Sequence, residues 1–312
     1  MNISVIIPNY NGEKILGKNL PKVIKVLSEY KEGSIDLIIP DDNSSDNSLV
    51  LLNKFKEENK NKNLKIKILG SSENKGFSSN VNKGVESASG DLLVLLNTDV
   101  IPAKGFLEPI IPHFNDEKVF GVGCMDESIE NDKKILRGRG RGEWKKGFLM
   151  HSRAEIDGKE TLWVSGGSGV FRKSIWDSLG GLDSLYDPFY WEDIDLSYRA
   201  RKSRFKTLFE NKSIVRHEHE KGAIKSKYSA EDVKKIAYRN QFIFTWKNSD
   251  LSTLIISLIW LPYHLLNAVR SGDKNFIKGF ILALKMLKNI MEKRGIAKKQ
   301  FIYTDKKVTA QV

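Results

Sequence analysis

The most constraining feature of this chain is an apolar run that ends in acid. Asp91 is followed by Leu92, Leu93, Val94, Leu95 and Leu96, and the run passes directly into Asn97, Thr98 and Asp99. It is too short for a globular helix and dense in Leu and Val, so it predicts a strand buried on both faces. Such strands sit in sheets covered by helices, which makes the expected class α/β. The carboxyl end of a buried strand opens onto the crevice where α/β sheets bind ligands. An oxygen-rich side chain there suits a divalent cation, and through the cation a diphosphate. The plain alternative is that Asp99 caps the turn before the next element.

The same pattern occurs twice more upstream. Ile3 to Pro8 predicts a strand, Asn9-Tyr10-Asn11-Gly12 a loop, and Glu13 to Tyr30 a helix with Leu16, Leu20, Val23, Ile24 and Leu27 at helical spacing. Ile35 to Ile39 predicts a second strand, ending in Pro40-Asp41-Asp42-Asn43-Ser44-Ser45-Asp46 before a helix over Ser48 to Glu58. Asp41 and Asp42 thus stand at a strand's carboxyl end. Ser44 to Asp46 suit a helix N-cap, and both readings hold together. Leu64 to Leu69 alternates as a half-buried strand, and Glu73 to Gly84 is a loop opening a helix that ends near Gly90. Gly76, at that helix N-terminus, is a candidate for exposing backbone N–H groups to an anion. These βαβ units predict a Rossmann-like, mostly parallel sheet flanked by helices. No G-x-G-x-x-G follows the first strand and no G-x-x-x-x-G-K-[ST] occurs, which argues against a dinucleotide dehydrogenase or a P-loop enzyme.

Four segments in this order and spacing carry a resemblance. They are Ser4 to Gly12, Asp41 to Asp46, Glu73-Asn74-Lys75-Gly76-Phe77 with Asn82 and Gly84, and Leu96-Asn97-Thr98-Asp99. Together they resemble family 2 glycosyltransferases, and within them the bacterial rhamnosyltransferase-like subgroup, which writes its metal motif with Asn first. The resemblance covers about residues 1–245. It implies the GT-A fold, with Asp41 or Asp42 contacting base or ribose. It also places Pro8, Asn9, Tyr10, Gly76, Asn82, Asn97 and Thr98 around the nucleotide sugar. Asp99 then binds the metal that holds the diphosphate. Asn97 stands where many relatives have a first Asp, which leaves fewer negative charges at the metal.

Farther along, Phe106 to Phe114 is a helix candidate interrupted by Pro109 and Pro112, and Val119 to Gly123 is a strand. Lys133 to Lys146, with Arg137-Gly138-Arg139-Gly140-Arg141-Gly142, reads as a flexible solvated insertion or a mobile lip meeting phosphates. Leu162 to Arg172 reads as a strand broken by glycines, a mark of close approach; the resemblance puts Gly166 and Gly167 on the sugar-binding floor. Phe189-Tyr190-Trp191-Glu192-Asp193-Ile194-Asp195 opens a helix. Acids in a first turn complement the helix dipole, while an aromatic wall beside them raises the proton affinity that a general base needs. The resemblance makes Asp193 the base of an inverting enzyme, with Glu192 positioning the acceptor or supporting the base and Trp191 beside the sugar. Asp195 is read as structural, paired with Arg199 one turn on. The resemblance also places a metal- or diphosphate-contacting His after the strand near Phe205 to Phe209, matching His217 ahead of its neighbour His219.

Composition bounds the rest. The 312 residues are 40% apolar and 29% charged, a globular make-up. One cysteine, Cys124, rules out an intramolecular disulfide or a cysteine-based zinc site and fits a reducing compartment. The net charge is +12, and +8 of it lies from Trp246 onward. That region holds the apolar stretch Leu251 to Val269, interrupted by Pro262, and an amphipathic pattern over Phe276 to Met291 with Lys278, Lys285 and Lys288 on its polar side. The amphipathic pattern reads as an interfacial helix on an anionic membrane; the plain alternative is an appendage packed on the catalytic domain or on a second copy. Its apolar content argues against nucleic acid.

The expectation is therefore a GT-A domain over residues 1–245 and a basic helical tail over 246–312. The chain is expected on the cytoplasmic face of the membrane, peripheral, with a homodimer through the tail as a further partner. As an enzyme it would use Mn²⁺ or Mg²⁺ and a UDP- or dTDP-sugar ahead of a GDP-sugar, with a saccharide or polyprenyl-linked acceptor. The rival readings are a nucleotidyltransferase and a catalytically weak scaffold.

Overall fold

The computed structural model describes residues 1–60, 64–130, 133–217 and 227–312. Its first half is the predicted βαβ series. Strands β1 (Ile3–Ile6), β2 (Ile35–Asp41), β3 (Leu64–Gly70) and β4 (Leu92–Leu96) run parallel in the order β3-β2-β1-β4. Helices α1 (Glu13–Ser28), α2 (Ser48–Glu58) and α3 (Phe77–Glu86) cross between them. Every residue of β4 is buried, as a continuous Leu/Val run requires when both faces are covered. α1 turns Leu16, Leu20, Val23, Ile24 and Leu27 into the core on one side of the sheet, while Val81 and Val85 of α3 pack on the other.

The second half completes the sheet. It adds β5 (Val100–Pro102), β6 (Val119–Glu130), β7 (Lys133–Arg137), β10 (Ser168–Arg172) and β11 (Lys206–His217). Among the described residues the sheet has nine strands in the order β3-β2-β1-β4-β10-β6-β11-β5, with β7 paired to β6. β10, β5 and β7 run against the others, so the sheet is mixed but mostly one-directional. β8 (Gly140–Lys145) and β9 (Phe148–Arg153) form a separate hairpin. Helices α4 (Lys173–Ser178) and α5 (Glu192–Lys202) follow β10.

The C-terminal helices are α6 (Ala230–Asn248), α7 (Leu251–Ser271), α8 (Lys274–Lys285), α9 (Leu287–Lys298) and α10 (Asp305–Thr309). They share one core with the preceding part of the chain: Phe242, Phe244 and Trp246 of α6 cluster with Phe148, Trp191, Tyr198, Phe276 and Val308. The chain end is tied to α5. Ile302 and Tyr303 donate their N–H groups to the Lys202 carbonyl, and the Lys202 ammonium reaches Asp305 at 2.7 Å and Asp250 at 2.6 Å. α6 runs through the 245/246 boundary expected from sequence.

Several local expectations are corrected. Phe106 to Phe114 is not a helix; only a 3-10 turn forms at Ile111–Asn115, since the two prolines remove N–H donors. Only Ser168–Arg172 of the 162–172 segment is a strand. The Arg-Gly segment is neither solvated loop nor lip but β7 and β8. Its glycines serve close packing: a Cβ on Gly140 would lie 2.1 Å from the Trp163 ring and one on Gly142 2.6 Å from Leu162. The pattern over Phe276 to Met291 breaks into α8 and α9: Phe276, Ala283 and Ile290 are buried and Ile277 and Phe280 half-buried, while Leu284, Leu287 and Met291 stay exposed. Phe276 stacks on Tyr238 and Phe242 with centroids 5.1 and 5.3 Å apart, and Ala283 is fully buried.

Asp195, the third acid of α5, sits in a closed ionic cluster. It is fully buried and accepts from Arg199 Nε (2.8 Å), Lys247 Nζ (3.0 Å), Asn248 Nδ2 (2.7 Å) and Tyr186 Oη (2.8 Å). Burial pushes its carboxyl up, but Lys247 and Arg199 outweigh that and hold it well below the ordinary range. A depressed carboxylate contributes stability that is full above the ordinary carboxylate range and is lost as pH falls through its lowered value. Asp195→Ala leaves buried Arg199 without its carboxylate and Lys247 with Asp183 alone, and urea unfolding should register a loss of about 3–5 kcal/mol; a loss under about 1 kcal/mol would contradict this account of the cluster.

Candidate functional site

The carboxyl ends of β1, β2 and β4 and the start of α5 surround a cavity of about 420 Å³. The β1 end contributes Pro8, Asn9 and Tyr10. Asn9 is fixed from both sides: its N–H donates to the Pro40 carbonyl, and its Nδ2 donates to Asp41 at 2.7 Å. Its Oδ1 is buried without a partner. The two acids at the end of β2 divide their tasks. Asp41 is fully buried and accepts from Asn9, the Ser44 N–H and the Ser44 hydroxyl, so it holds the loop and does not line the cavity. Asp42 does line it, accepting the N–H groups of Lys75 (2.9 Å) and Gly76 (2.8 Å).

Gly76 lines the cavity at φ +106°, a left-handed region that favours glycine. Its expected role as an anion-binding helix start does not survive. The Gly76 N–H is taken by Asp42, the Phe77 N–H by the Pro188 carbonyl and the Ser78 N–H by Asp187. Two carboxylates already answer the helix dipole. Burial lifts Asp187 to about 6 against the hydrogen bonds from Ser79 and Ser78. Asn82 is also displaced from the site. Its amide bridges the Leu182 carbonyl (2.7 Å) and N–H (3.1 Å), pinning the turn after α4.

The β4 end brings Asn97, Thr98 and Asp99 to the cavity wall. Pairing of β5 with β11 sets His217 opposite Val100, and so beside Asp99. His217 Nε2 lies 3.1 Å from Asp99 Oδ2, and its Nδ1 lies 3.1 Å from Asp126 Oδ2. Burial would lower the imidazole, but Asp126 and Asp99 carry it up to about 10. His219 lies outside the described residues.

The first turn of α5 lines the same cavity. Asp193 accepts the Gly166 N–H at 3.2 Å and the Ile194 N–H at 2.8 Å, which places Gly166 against the acid, while Gly167, also in the lining, lies against Asn97. Glu192 is 8% exposed, and among the described residues its Oε2 has no partner. Burial, then the charge of Asp193, pushes the Glu192 carboxyl well above its ordinary range; burial also raises Asp193, against the N–H groups that lower it. Trp191 does not reach the cavity. It packs on His151 and Phe244, with centroids 4.9 and 5.1 Å away, and supports the turn from behind. Tyr190 and Trp191 both have positive φ, a strained pair. Asn240 holds it by donating Nδ2 to the carbonyls of Tyr186, Phe189 and Tyr190, and Arg239 donates to the carbonyl of Asp187.

Sequence reasoning missed the remaining wall. Lys227 sits 4.3 Å over the Tyr10 ring and donates to Asn74 at 3.2 Å, and Tyr228 stacks edge-on to Phe189 at 4.9 Å. Pro188, Phe189 and Tyr190 also line the cavity. The only sequence trace of this wall is an aromatic run before Glu192 and a Lys-Tyr pair well after His217. Among the described residues the result is an acidic lining (Asp42, Asp99, Glu192, Asp193) with an aromatic edge that carries Lys227. An anionic ligand enters such a site only with a cation beside it.

A family model described as glycosyl transferase family 2 matches residues 4–179. A Campylobacter jejuni protein, GalNAc(5)-diNAcBac-PP-undecaprenol beta-1,3-glucosyltransferase, is 30% identical over 179 residues, covering 55% of this chain and 52% of its own length. The poly-beta-1,6-N-acetyl-D-glucosamine synthase of Staphylococcus aureus is 25% identical over 214 residues, 67% of this chain and 48% of that protein. The chain thus spans about half the length of the curated relatives it matches. Among solved structures, S. aureus TarS 1-349 in complex with UDP-GlcNAc has a TM-score of 0.59 at 16% identity, covering 96% of this chain and 88% of that one. GalNAc-T7 with UDP, GalNAc and Mn²⁺ also has a TM-score of 0.59, at 19% identity over 77% of this chain and 47% of its own. At these identities the likeness establishes the fold.

Asn82→Ala should lower stability by roughly 1–3 kcal/mol, by leaving the Leu182 N–H and carbonyl unpaired, while nucleotide binding is unchanged. Thermal melts paired with nucleotide titration check it; loss of binding at unchanged stability would return Asn82 to the site.

Proposed function

This chain belongs to glycosyl transferase family 2, and from that premise we propose that it is an inverting, metal-dependent enzyme. It moves a sugar from a nucleoside-diphosphate sugar to a saccharide or polyprenyl-linked acceptor. The fold is GT-A, and the activity class is glycosyl transfer. The observation that carries the finer reading is that Asp99 and the buried Glu192–Asp193 pair line one and the same cavity.

The Asp99 and His217 donors suit a divalent metal. Among the described residues no group of three or more His, Cys, Asp or Glu could hold an ion by itself. Two protein ligands with the rest supplied by phosphate oxygens is the usual arrangement for Mg²⁺, and Mn²⁺ accepts the same oxygen-rich set with an imidazole. Asp126 on Nδ1 is the outer carboxylate that orients a ligating imidazole. When bound, the ion supplies charge neutralisation for the leaving diphosphate.

The chain's own residues do the rest. Asp193, partly desolvated, takes the proton of the acceptor hydroxyl. The acceptor oxygen then bonds to the anomeric carbon from the face opposite the phosphate, whose bond to that carbon breaks. Glu192, whose carboxyl burial pushes up, acts in this reading as the protonated partner that donates a hydrogen bond to a sugar hydroxyl and leaves Asp193 as the charged member. Asp42, Asn9 and Tyr10 receive the nucleoside, with UDP or dTDP ahead of GDP. Lys227 offers the nucleotide a positive charge at the rim. The name of the Campylobacter relative, which includes PP-undecaprenol, supports a lipid-linked acceptor. In this reading the chain works at the cytoplasmic face of a membrane.

Asp193→Asn should reduce turnover by about 10²–10⁴-fold while nucleotide binding persists. Because Asp193 is raised and must be ionised to act, wild-type kcat/KM should fall on the acid side with a midpoint above the ordinary carboxylate range. Release of nucleoside diphosphate measured across pH checks both. A variant that turns over at the wild-type rate would remove Asp193 from the chemistry.

A further inference from the structure

The outward side of α7 is apolar along its whole length. Leu251, Ile255, Leu258, Ile259, Leu266 and Val269 recur at helical spacing and are between 49% and 70% exposed. At 1.5 Å per residue, this helix of 21 residues is about 30 Å long, so the stripe is far larger than a chance surface patch. Length and composition alone would allow α7 to cross a bilayer. Its other side forbids a simple crossing. Ser257 and Ala268 are buried, and a Cβ on Gly147 would lie 2.4 Å from the Cα of Ser257. His264 Nε2 is 2.8 Å from the Lys146 carbonyl oxygen, and its ring packs on Phe148 at 5.0 Å. A helix with one flank seated on a globular domain and the other flank wholly apolar belongs in an interface plane.

The chemistry around the stripe names the partner. Lys146 places its ammonium 5.3 Å over Trp260 and 4.6 Å over Tyr263, and these two rings pack edge-on at 5.3 Å. Arg270 in the last turn of α7, and Lys274 and Lys278 of α8, are exposed. Trp and Tyr with cations beside an apolar band are the side chains that settle at headgroup level on an anionic bilayer. A second copy of the chain fits less well, because a two-fold contact would set these cations against their own images.

We propose that α7 is an in-plane docking helix, its Leu251–Val269 stripe seated in the acyl boundary of an anionic membrane and Lys146, Trp260, Tyr263 and Arg270 at headgroup depth. This deepens the membrane part of the functional reading above and rests on it only for which membrane face is met. It also moves the main contact from Phe276–Met291, where Phe276, Ala283 and Ile290 are buried and Leu284, Leu287 and Met291 are less exposed than the α7 stripe. The β8–β9 hairpin links the surface to the site: its turn residues Lys146 and Gly147 meet α7, and His151 of the same hairpin stacks on Trp191, next to Glu192.

The test is co-sedimentation of the full chain with phosphatidylcholine vesicles, with and without phosphatidylglycerol. Wild type should partition onto the anionic vesicles and less so at high salt. Ile255→Glu combined with Ile259→Glu should weaken partitioning by at least about tenfold, and Lys146→Ala by about fivefold. The double variant should keep its melting temperature and its nucleoside diphosphate release with a water-soluble acceptor, since both side chains are exposed. Equal partitioning of the double variant, or no partitioning by wild type, overturns the proposal. So does a wild-type dimer that leaves vesicles alone and that the double variant splits. A protein that binds vesicles through α7 yet turns over no nucleotide sugar leaves this proposal standing and overturns the transferase reading instead.

Discussion

The catalytic half of this molecule depends on one buried carboxylate that does no chemistry. Asp195 lies in the first turns of α5, and its ties to Arg199, Lys247, Asn248 and Tyr186 fix that helix to α6. The same helix begins with Glu192 and Asp193, so their placement follows from the cluster. A second set of ties, from Lys202 to Asp250 and Asp305, fixes the other end of α5 to the chain terminus. Three successive acids are thereby sorted by environment. The cations around Asp195 hold its carboxyl down, burial pushes Glu192 up, and burial raises Asp193 against the backbone N–H groups that lower it. In the mechanism proposed above, that sorting separates a structural carboxylate, a hydrogen-bond donor and a base.

The cavity carries a second constraint of the same kind. Its floor is acidic, and the ligand proposed for it is a dianionic or more highly charged diphosphate. Coulomb repulsion in a partly desolvated cleft is large enough that binding needs a compensating cation. The Asp126–His217–Asp99 line supplies the donors for one, and Lys227 over Tyr10 supplies a smaller positive charge at the nucleoside end. Metal dependence in this reading is thus a consequence of where the carboxylates lie.

Much of this was legible in the sequence, because burial and strand ends are written in local patterns. Continuous Leu/Val runs marked β1, β2 and β4, and polar residues following them marked the cleft. Asp42, Asn97, Asp99, Gly166 and Asp193 all reach the cavity expected of them. What local pattern cannot encode is the direction of a side chain. Asp41 and Asp42 are adjacent, and the turn geometry sends one inward to Asn9 and Ser44 and the other to the cleft. Asn82 and Trp191 belong to motif segments but serve packing. Lys227 and Tyr228 reach the rim from far along the chain, with no periodic signal to announce them. The amphipathic Phe276–Met291 pattern and the largely apolar Leu251–Val269 run posed a related problem. A hydrophobic face in a sequence asks to be covered without saying by what: here Phe276, Ala283 and Ile290 are buried while Leu284, Leu287 and Met291 stay exposed, and the α7 stripe is more exposed still.

The central claim is that the cleft accepts a nucleoside diphosphate only together with a divalent cation held by Asp99. Calorimetric titration of the purified chain with UDP, in the presence and absence of Mn²⁺, tests it most directly. The account predicts binding at least about tenfold tighter with the metal, and loss of that enhancement in Asp99→Ala. UDP binding of equal strength with and without Mn²⁺, or an enhancement that survives in Asp99→Ala, would contradict it.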